Sequence, residues 1–272
     1  MTFSTLTGVI AKEQSTDTKS FKPVTSAEQY VAYLKTVEEA PTYTIPETVI
    51  ITFGRSHIER LLNRHDYENS SFMRYLYSID NGKLGIIGGF GIGAPAMIHR
   101  VEELIALGVR RFILVGLAGS LTDELAIGDY VLCTRALSED GVGHLYMKSS
   151  KKFSEATPTL ADAWSQFILK HHPTHPAFHL APSWSFPIIF RETKEDIERV
   201  TNQGCRTVEM EVGALYAIAQ EKKVEAVALF LVSDSLAGGV WHPELKNHCI
   251  KENLTRLTEL AIEFVCQCEF DV

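Results

Sequence analysis

The chain has 272 residues, 45% of them hydrophobic and 22% charged, which suits one large α/β domain with an ample core. Its net charge of -8, from 26 basic and 34 acidic residues, argues against a general nucleic-acid binder, and no basic run is long enough for a nucleic-acid arm. No apolar run approaches the roughly 18 residues of a membrane span. The first residues, MTFSTLTGVIAKEQ, lack a positive segment followed by a long apolar core, so no signal peptide is expected. Cys133, Cys205, Cys249, Cys266 and Cys268 are scattered without a C-x-x-C pair and read as reduced thiols of a cytoplasmic protein.

Residues 1–45 read as an N-terminal extension with one helix, and residues 46–272 as the main domain. Residues 1–25 are polar and rich in Ser and Thr, an arm or a subunit contact. Ser26 then opens a capping box with Gln29; Tyr30, Leu34 and Val37 follow at helical spacing, and Pro41 stops the helix. Thr48–Phe53 (TVIITF) is a β-branched run, a buried first strand. Gly54 and a second capping box, Ser56 with Glu59, place a helix start near Ser56. A strand, a glycine turn and a helix N-terminus form an anion site, because free backbone N–H groups point outward there. Arg55 and His57 sit at that point. The plain alternative is that Glu59 only caps and His57 is a solvated helix residue.

Leu84–Gly93 (LGIIGGFGIG) is a strand entering a glycine-rich turn. Pro95 suits a first helical position, Met97, Val101, Leu104 and Ile105 form an apolar stripe, and Gly108 ends the helix. The G-x-G-x-G-A spacing, without an acid some 20 residues on at a strand end, excludes a dinucleotide fingerprint. These glycines rather let backbone amides approach a small anion or a sugar. Arg111–Gly116 and Asp129–Thr134 are the next strands. The alternation predicts a single-domain, three-layer α/β fold with a mostly parallel, mixed central sheet flanked by helices. Ligands bind such sheets at the carboxyl ends of strands, so Gly54, Gly89–Gly93, Gly116–Gly119 and Asp234 should converge.

Residues 137–158 read as a long loop, and Leu160, Trp164, Phe167 and Ile168 as a helical stripe. His171, His172, His175 and His179 follow, but two prolines break any helix and no carboxylate or cysteine interleaves, so no metal site is expected. Ser183–Phe190 (SWSFPIIF) supplies aromatics that either stack on a planar base or pack in the core. Thr207–Ala217 (TVEMEVGALYA) sets Glu209 and Glu211 around Met210, just before a small-residue helix. Val224–Val232 is a buried strand that leads to Asp234. Ile250, Leu254, Leu257, Ala261, Phe264 and Val265 mark a C-terminal amphipathic helix.

In order along the chain stand Gly91-x-Gly93-x-Pro95, Val115-Gly116-x-Ala118-Gly119, Gly128-Asp129-x-Val131, Val208-Glu209-Met210-Glu211 and Val232-Ser233-Asp234. With these motifs the chain, from Thr48 to Val265, resembles the nucleoside phosphorylase/uridine phosphorylase family, which includes purine nucleoside phosphorylases and the methylthioadenosine/adenosylhomocysteine nucleosidases. The resemblance implies cleavage of an N-glycosidic bond, with ribose passing to phosphate or to water through an oxocarbenium-like transition state. It implies catalytic roles for Glu211, which accepts hydrogen bonds from the ribose hydroxyls, and for Asp234, which protonates or hydrogen-bonds N7 of a purine. Met210 packs on the sugar, Glu209 assists or is structural, and Gly119, Phe190 and Arg191 complete the substrate-binding set. Gly54, Arg55 and Gly91 would hold phosphate.

At the nucleophile side the sequence departs from the family. Leu114 and Leu117 stand where an arginine and a Ser/Thr belong, another arginine position falls on Ile58 or His57, and only Arg74 lies where a neighbouring subunit lends one. Each lost charge-assisted contact costs about 1.5–3 kcal/mol. Three readings stay open: a phosphorylase with Arg55 and His57 rebuilding the anion site, a nucleosidase with His57 as base, or a binding protein without turnover. Asp234 favours a purine, while Arg191-Glu192-Thr193 resembles the uridine-phosphorylase-like branch. No metal and no cofactor is expected, phosphate serving as co-substrate. The implied partners are a small nucleoside and further copies of the chain, in a homodimer or homohexamer, with neither nucleic acid nor membrane.

Overall fold

A computed structural model describes residues 23–37, 39, 45–69, 73, 75–147, 151–171 and 177–268. Most of the expected N-terminal arm, Arg74, His172 and His175 lie outside the described residues.

In chain order the elements are α1 (Ala27–Thr36), β1 (Thr48–Ile51), α2 (Arg55–Leu62), β2 (Tyr67–Asn69), β3 (Leu76–Ile79), β4 (Leu84–Ile87) and α3 (Ala94–Ala106). They continue with β5 (Arg111–Ser120), β6 (Tyr130–Ser138), β7 (Phe153–Glu155), α4 (Pro158–His171), β8 (Phe178–Ser185) and α5 (Lys194–Asn202). The last are β9 (Thr207–Glu209), α6 (Val212–Lys222), β10 (Glu225–Ser235), β11 (His242–Pro243) and α7 (His248–Gln267). The Ser26 capping box forms as expected, the hydroxyl accepting from Gln29 N–H and the Gln29 side chain from Ser26 N–H.

β4, β1, β5 and β10 run parallel and side by side, with Ile50 paired to Ile86 and Ile113, and Ala228 to Leu114. Their central residues are β-branched or apolar, because both faces of a parallel sheet are covered. Val49, Ile50 and Ile51 are at most 1% exposed, and each such side chain contributes about 1.5–3 kcal/mol by leaving water. Two groups of helices cover the sheet. One is α7 with α2 and α4, where Trp164 meets Phe264 edge to face at 5.1 Å; the other is α3 with α6 and α1.

The mixed sheet also closes on itself. β10 pairs antiparallel with β6, β6 parallel with β8, β8 parallel with β9, and β9 antiparallel with β5, which returns to β10. This ring of β5, β10, β6, β8 and β9 draws the ends of distant strands around one opening. The residues Glu209 to Glu211 therefore sit beside the end of β5, although about ninety positions separate them along the chain.

Candidate active site

The site begins where β9 meets α6. Val212 to Ala219 are all buried, and α6 packs on β6, β7, β8 and β10. Its small residues allow that approach: a Cβ at Gly213 would lie 2.6 Å from Asp140 Oδ2. The first amides of a helix lack partners within it. Here Glu209 supplies them, its Oε2 accepting from the N–H groups of Glu211 and Val212, both at 2.7 Å. Its Oε1 accepts from the hydroxyls of Ser183 and Ser185, and the Ser185 oxygen accepts from Gly213 N–H at 2.7 Å. Glu209 is thus occupied as a cap and faces no opening. Burial pushes its carboxyl up, against the pull of those donors.

With the helix capped by Glu209, Glu211 at the N-cap position is released to face the glycine turn after β4. Its Oε1 accepts from Gly93 N–H at 2.5 Å and its Oε2 from Met210 N–H at 3.2 Å. Gly93 takes φ +91°, a left-handed conformation that a side chain would strain. Ala94 N–H donates to the Met210 carbonyl at 3.0 Å, so the turn is bolted to both residues. Burial first, then the neighbouring Glu209 charge, raises the Glu211 carboxyl above its ordinary range. Each of its oxygens keeps acceptor capacity beyond the one amide it receives.

Gly119 joins this half of the site to Asp234. It pairs with Val208 on one side and, past a bulge in β10, with Asp234 on the other. A Cβ there would stand 2.6 Å from Leu236 Cδ1, 3.2 Å from Val208 and 3.4 Å from Asp234 Oδ2, so a larger residue would push on the side chains that flank it. Asp234 is half-buried; Ser233 Oγ donates to its Oδ1 at 2.7 Å and Trp241 Nε1 to its Oδ2 at 2.8 Å. Trp241 and the serines behind Glu209 have no signal in the sequence, since each acts through a partner distant in the chain or across a turn.

The expected anion side lies where β1 meets α2. Gly54 is the N-cap of α2 and brings no side-chain acceptor; His57 N–H reaches the Gly54 carbonyl at 3.0 Å, while the Arg55 and Ser56 amides have no partner among the described residues. A Cβ at Gly89 would lie 3.9 Å from Arg55 Cα, which sets the Gly89–Gly91 turn on the start of α2 with Arg55 exposed above it. The wall next to it is apolar. Leu114 is 1% exposed, and it and Phe53 lie 3.5 and 3.6 Å from a Cβ built on Gly116, with Phe90 edge-on to Phe53 at 5.9 Å. Phe190 is 87% exposed and Arg191 exposed in a 3-10 turn, Ile189–Arg191.

His57 is corrected by the structure. It is 2% exposed and turned toward α7, its Nε2 bonded to Thr258 Oγ1 at 3.0 Å and its Nδ1 3.5 Å from Thr255 Oγ1. α2 starts at Arg55, not Ser56, and the ring falls on the helix face that α7 covers. Burial, aided by the Arg60 charge, lowers its pKa from 6.5 to about 4. The ring is thus held against α7 rather than left open at the start of the helix. A base depressed in the fold gives stability that is present above pH 6.5 and lost as pH falls toward 4. On that ground, thermal melts of His57→Gln and the parent at pH 7 and pH 4.5 should differ. The variant should escape on the order of 2–3 kcal/mol of the parent's acid destabilisation; equal acid losses would remove the argument.

Among the described residues the remaining histidines make no cluster. His179 bonds Asp129 Oδ2 at 2.9 Å and His171 stacks on Phe167. Among the described residues no group of three or more His, Cys, Asp or Glu could hold a metal ion, and no helix is long and apolar enough to cross a membrane.

Known proteins are similar to this chain. A guanosine phosphorylase of Halorubrum lacusprofundi is 29% identical over 207 residues, which cover 75% of this chain and 83% of that one. The solved uridine phosphorylase of Vibrio fischeri superposes with a TM-score of 0.68 at 20% identity, covering 84% of this chain and 95% of its own. The AMP nucleosidase of Bacteroides thetaiotaomicron superposes with a TM-score of 0.67 at 16% identity, covering 89% and 97%. Both structures share the fold. The family model of the phosphorylase superfamily matches residues 49–266, from the first strand to the end of α7, and the chain belongs to that superfamily.

Proposed function

We propose that the protein cleaves the N-glycosidic bond of a nucleoside, a purine nucleoside by preference, and passes the ribose to phosphate. The observation that carries this reading is the Glu211 carboxylate, buried beside Met210 and held on the Gly93 amide with acceptor capacity to spare. Ribose hydroxyls are the donors that fit it, and Met210 offers the sugar an apolar surface. Asp234, reached across Gly119, takes the nitrogen of the departing base. A transition state with positive charge on ribose and negative charge on the base is matched at both ends. Phosphate rests on the open amides of α2 and the glycine turn, under Arg55. The likeness to a guanosine phosphorylase supports a purine. This reading includes a cytoplasmic homodimer or homohexamer that needs no cofactor.

A second reading, hydrolysis, is favoured by the apolar wall of Phe53 and Leu114. A dianion placed there loses hydration without a cation in return. The test is base release from inosine, guanosine, adenosine, uridine and methylthioadenosine, with and without phosphate. We expect phosphate-dependent release and ribose 1-phosphate from inosine or guanosine. Phosphate-independent release of free ribose establishes the nucleosidase, a uridine-only profile overturns the purine assignment, and binding without release leaves a binding protein.

A further inference from the structure

Trp241 reaches back to the base end of the site across a hairpin. β10 and β11 run antiparallel, with Asp234 opposite Pro243 and Ser235 opposite His242. Glu244 N–H donates to the Ser233 carbonyl at 3.2 Å and Leu236 N–H to the Ser120 carbonyl at 2.7 Å, so both arms of the hairpin are tied down. Between them Gly238 and Gly239 take φ +65° and +71° in succession, a left-handed conformation that turns the connection back on itself. The return delivers the indole to the carboxylate. Trp241 Nε1 donates to Asp234 Oδ2 at 2.8 Å, while Ser233 Oγ donates to Oδ1 at 2.7 Å.

The terminal torsion of an aspartate is broad, so a single hydrogen bond leaves the plane of the carboxylate loosely set. Two donors on different oxygens, one from the preceding residue and one from seven positions on, fix that plane. An indole N–H only donates, so it takes one lone pair of Oδ2 and leaves the other for a second donor. The ring is also open. Trp164 and Trp184 are fully buried, whereas Trp241 is 57% exposed although its N–H is bonded. A group that donates to the remaining lone pair of Oδ2 stands beside that open ring.

We propose that Trp241 is a positioning residue for Asp234, aiming Oδ2 at the departing base, and that its ring forms a side wall against which the bound base rests. This rests on the reading of the site as a nucleoside-cleaving one. The indole neither gives nor takes a proton in the reaction; its N–H acts through the Asp234 carboxylate.

The experiment has two arms, both on the full chain. Trp241→Phe keeps an aromatic ring and removes the N–H. Its kcat for base release should fall roughly tenfold or more, with KM within about threefold of the parent's, because a misaimed group costs rate rather than binding. In an Asp234→Ala background the same substitution should change kcat by less than about twofold, since no carboxylate is left to aim. Losses that add across the two backgrounds make Trp241 merely structural, and a parental kcat in Trp241→Phe removes it from the reaction. The second arm is acrylamide quenching of tryptophan emission. It reads Trp241, because the other two tryptophans are buried. Saturating guanosine should protect this emission in the parent, and no protectable emission should remain in Trp241→Phe. Quenching that a cleaved nucleoside leaves unchanged overturns the wall. Base release together with additive losses overturns the aiming and leaves the functional reading standing. Should the parent release no base from any nucleoside, that reading and the aiming both fail, while protection by guanosine still decides the wall.

Discussion

Replacing Glu211 by Gln should lower kcat/KM by roughly 10²- to 10⁴-fold while the fold survives. Two hydroxyl-to-carboxylate hydrogen bonds are lost at about 1.5–3 kcal/mol each, and each 1.36 kcal/mol is tenfold in rate. The substitution is nearly isosteric, and the Gln carbonyl can still accept from Gly93 N–H, so the turn after β4 keeps its anchor. Melting temperature should move little. The comparison that isolates the effect uses 2′-deoxynucleosides, which lack one of the two donors. The variant's loss should be smaller on them than on ribonucleosides. A loss of the same size on both would mean that Glu211 does not grip the 2′-hydroxyl. A variant with parental kcat/KM would remove Glu211 from the reaction.

Asp234→Asn should cost roughly 10²- to 10⁴-fold in kcat, the range for a positioned acid or base at a leaving group. The Asn amide keeps an oxygen for Trp241 or Ser233 but removes the charge that orients the base N–H. The diagnostic substrate is a nitrophenyl riboside, whose leaving group needs no proton. The variant should handle it almost as well as the parent does. Equal losses on the activated and natural substrates would sink the leaving-group role and return Asp234 to a turn-capping one.

The parts legible in the sequence were those governed by local chemistry. TVIITF, RFILVG and AVALFLVSD are apolar runs that end in, or are followed by, glycine or an acid, and they form the parallel strands β1, β5 and β10. The capping box at Ser26 and the stripe from Met97 to Ile105 need only neighbours three or four positions away. The ring closure was not legible. β9 is three residues long, and its pairing with β5 and β8 depends on strands about ninety and about twenty positions off. His57 was misjudged for the same reason. The Ser56-x-x-Glu59 spacing pointed to a capping box, whereas Gly54 caps the helix, and the ring's surroundings are set by Thr255 and Thr258 some two hundred positions later. By residue type and spacing alone Glu209 and Glu211 look equivalent, and only the family resemblance set Glu211 on the ribose. Only the serines of β8 decide which one caps α6 and which is left to face the glycine turn.

The Gly93–Glu211 hydrogen bond has a consequence for how the protein becomes competent. It joins residues 118 positions apart, and it forms only after β9 has docked between β8 and β5. During synthesis, β1, β4 and β5 emerge and can pair long before the acceptor for the Gly93 amide exists. The sugar-binding carboxylate is thus among the last groups to arrive, and a nascent or truncated chain ending before β9 has a sheet without a site. In the finished protein the Gly93 amide should exchange with deuterium only through openings that undock β9. A bound nucleoside, holding only the closed form, should slow that exchange by a factor of about 1 + [L]/Kd.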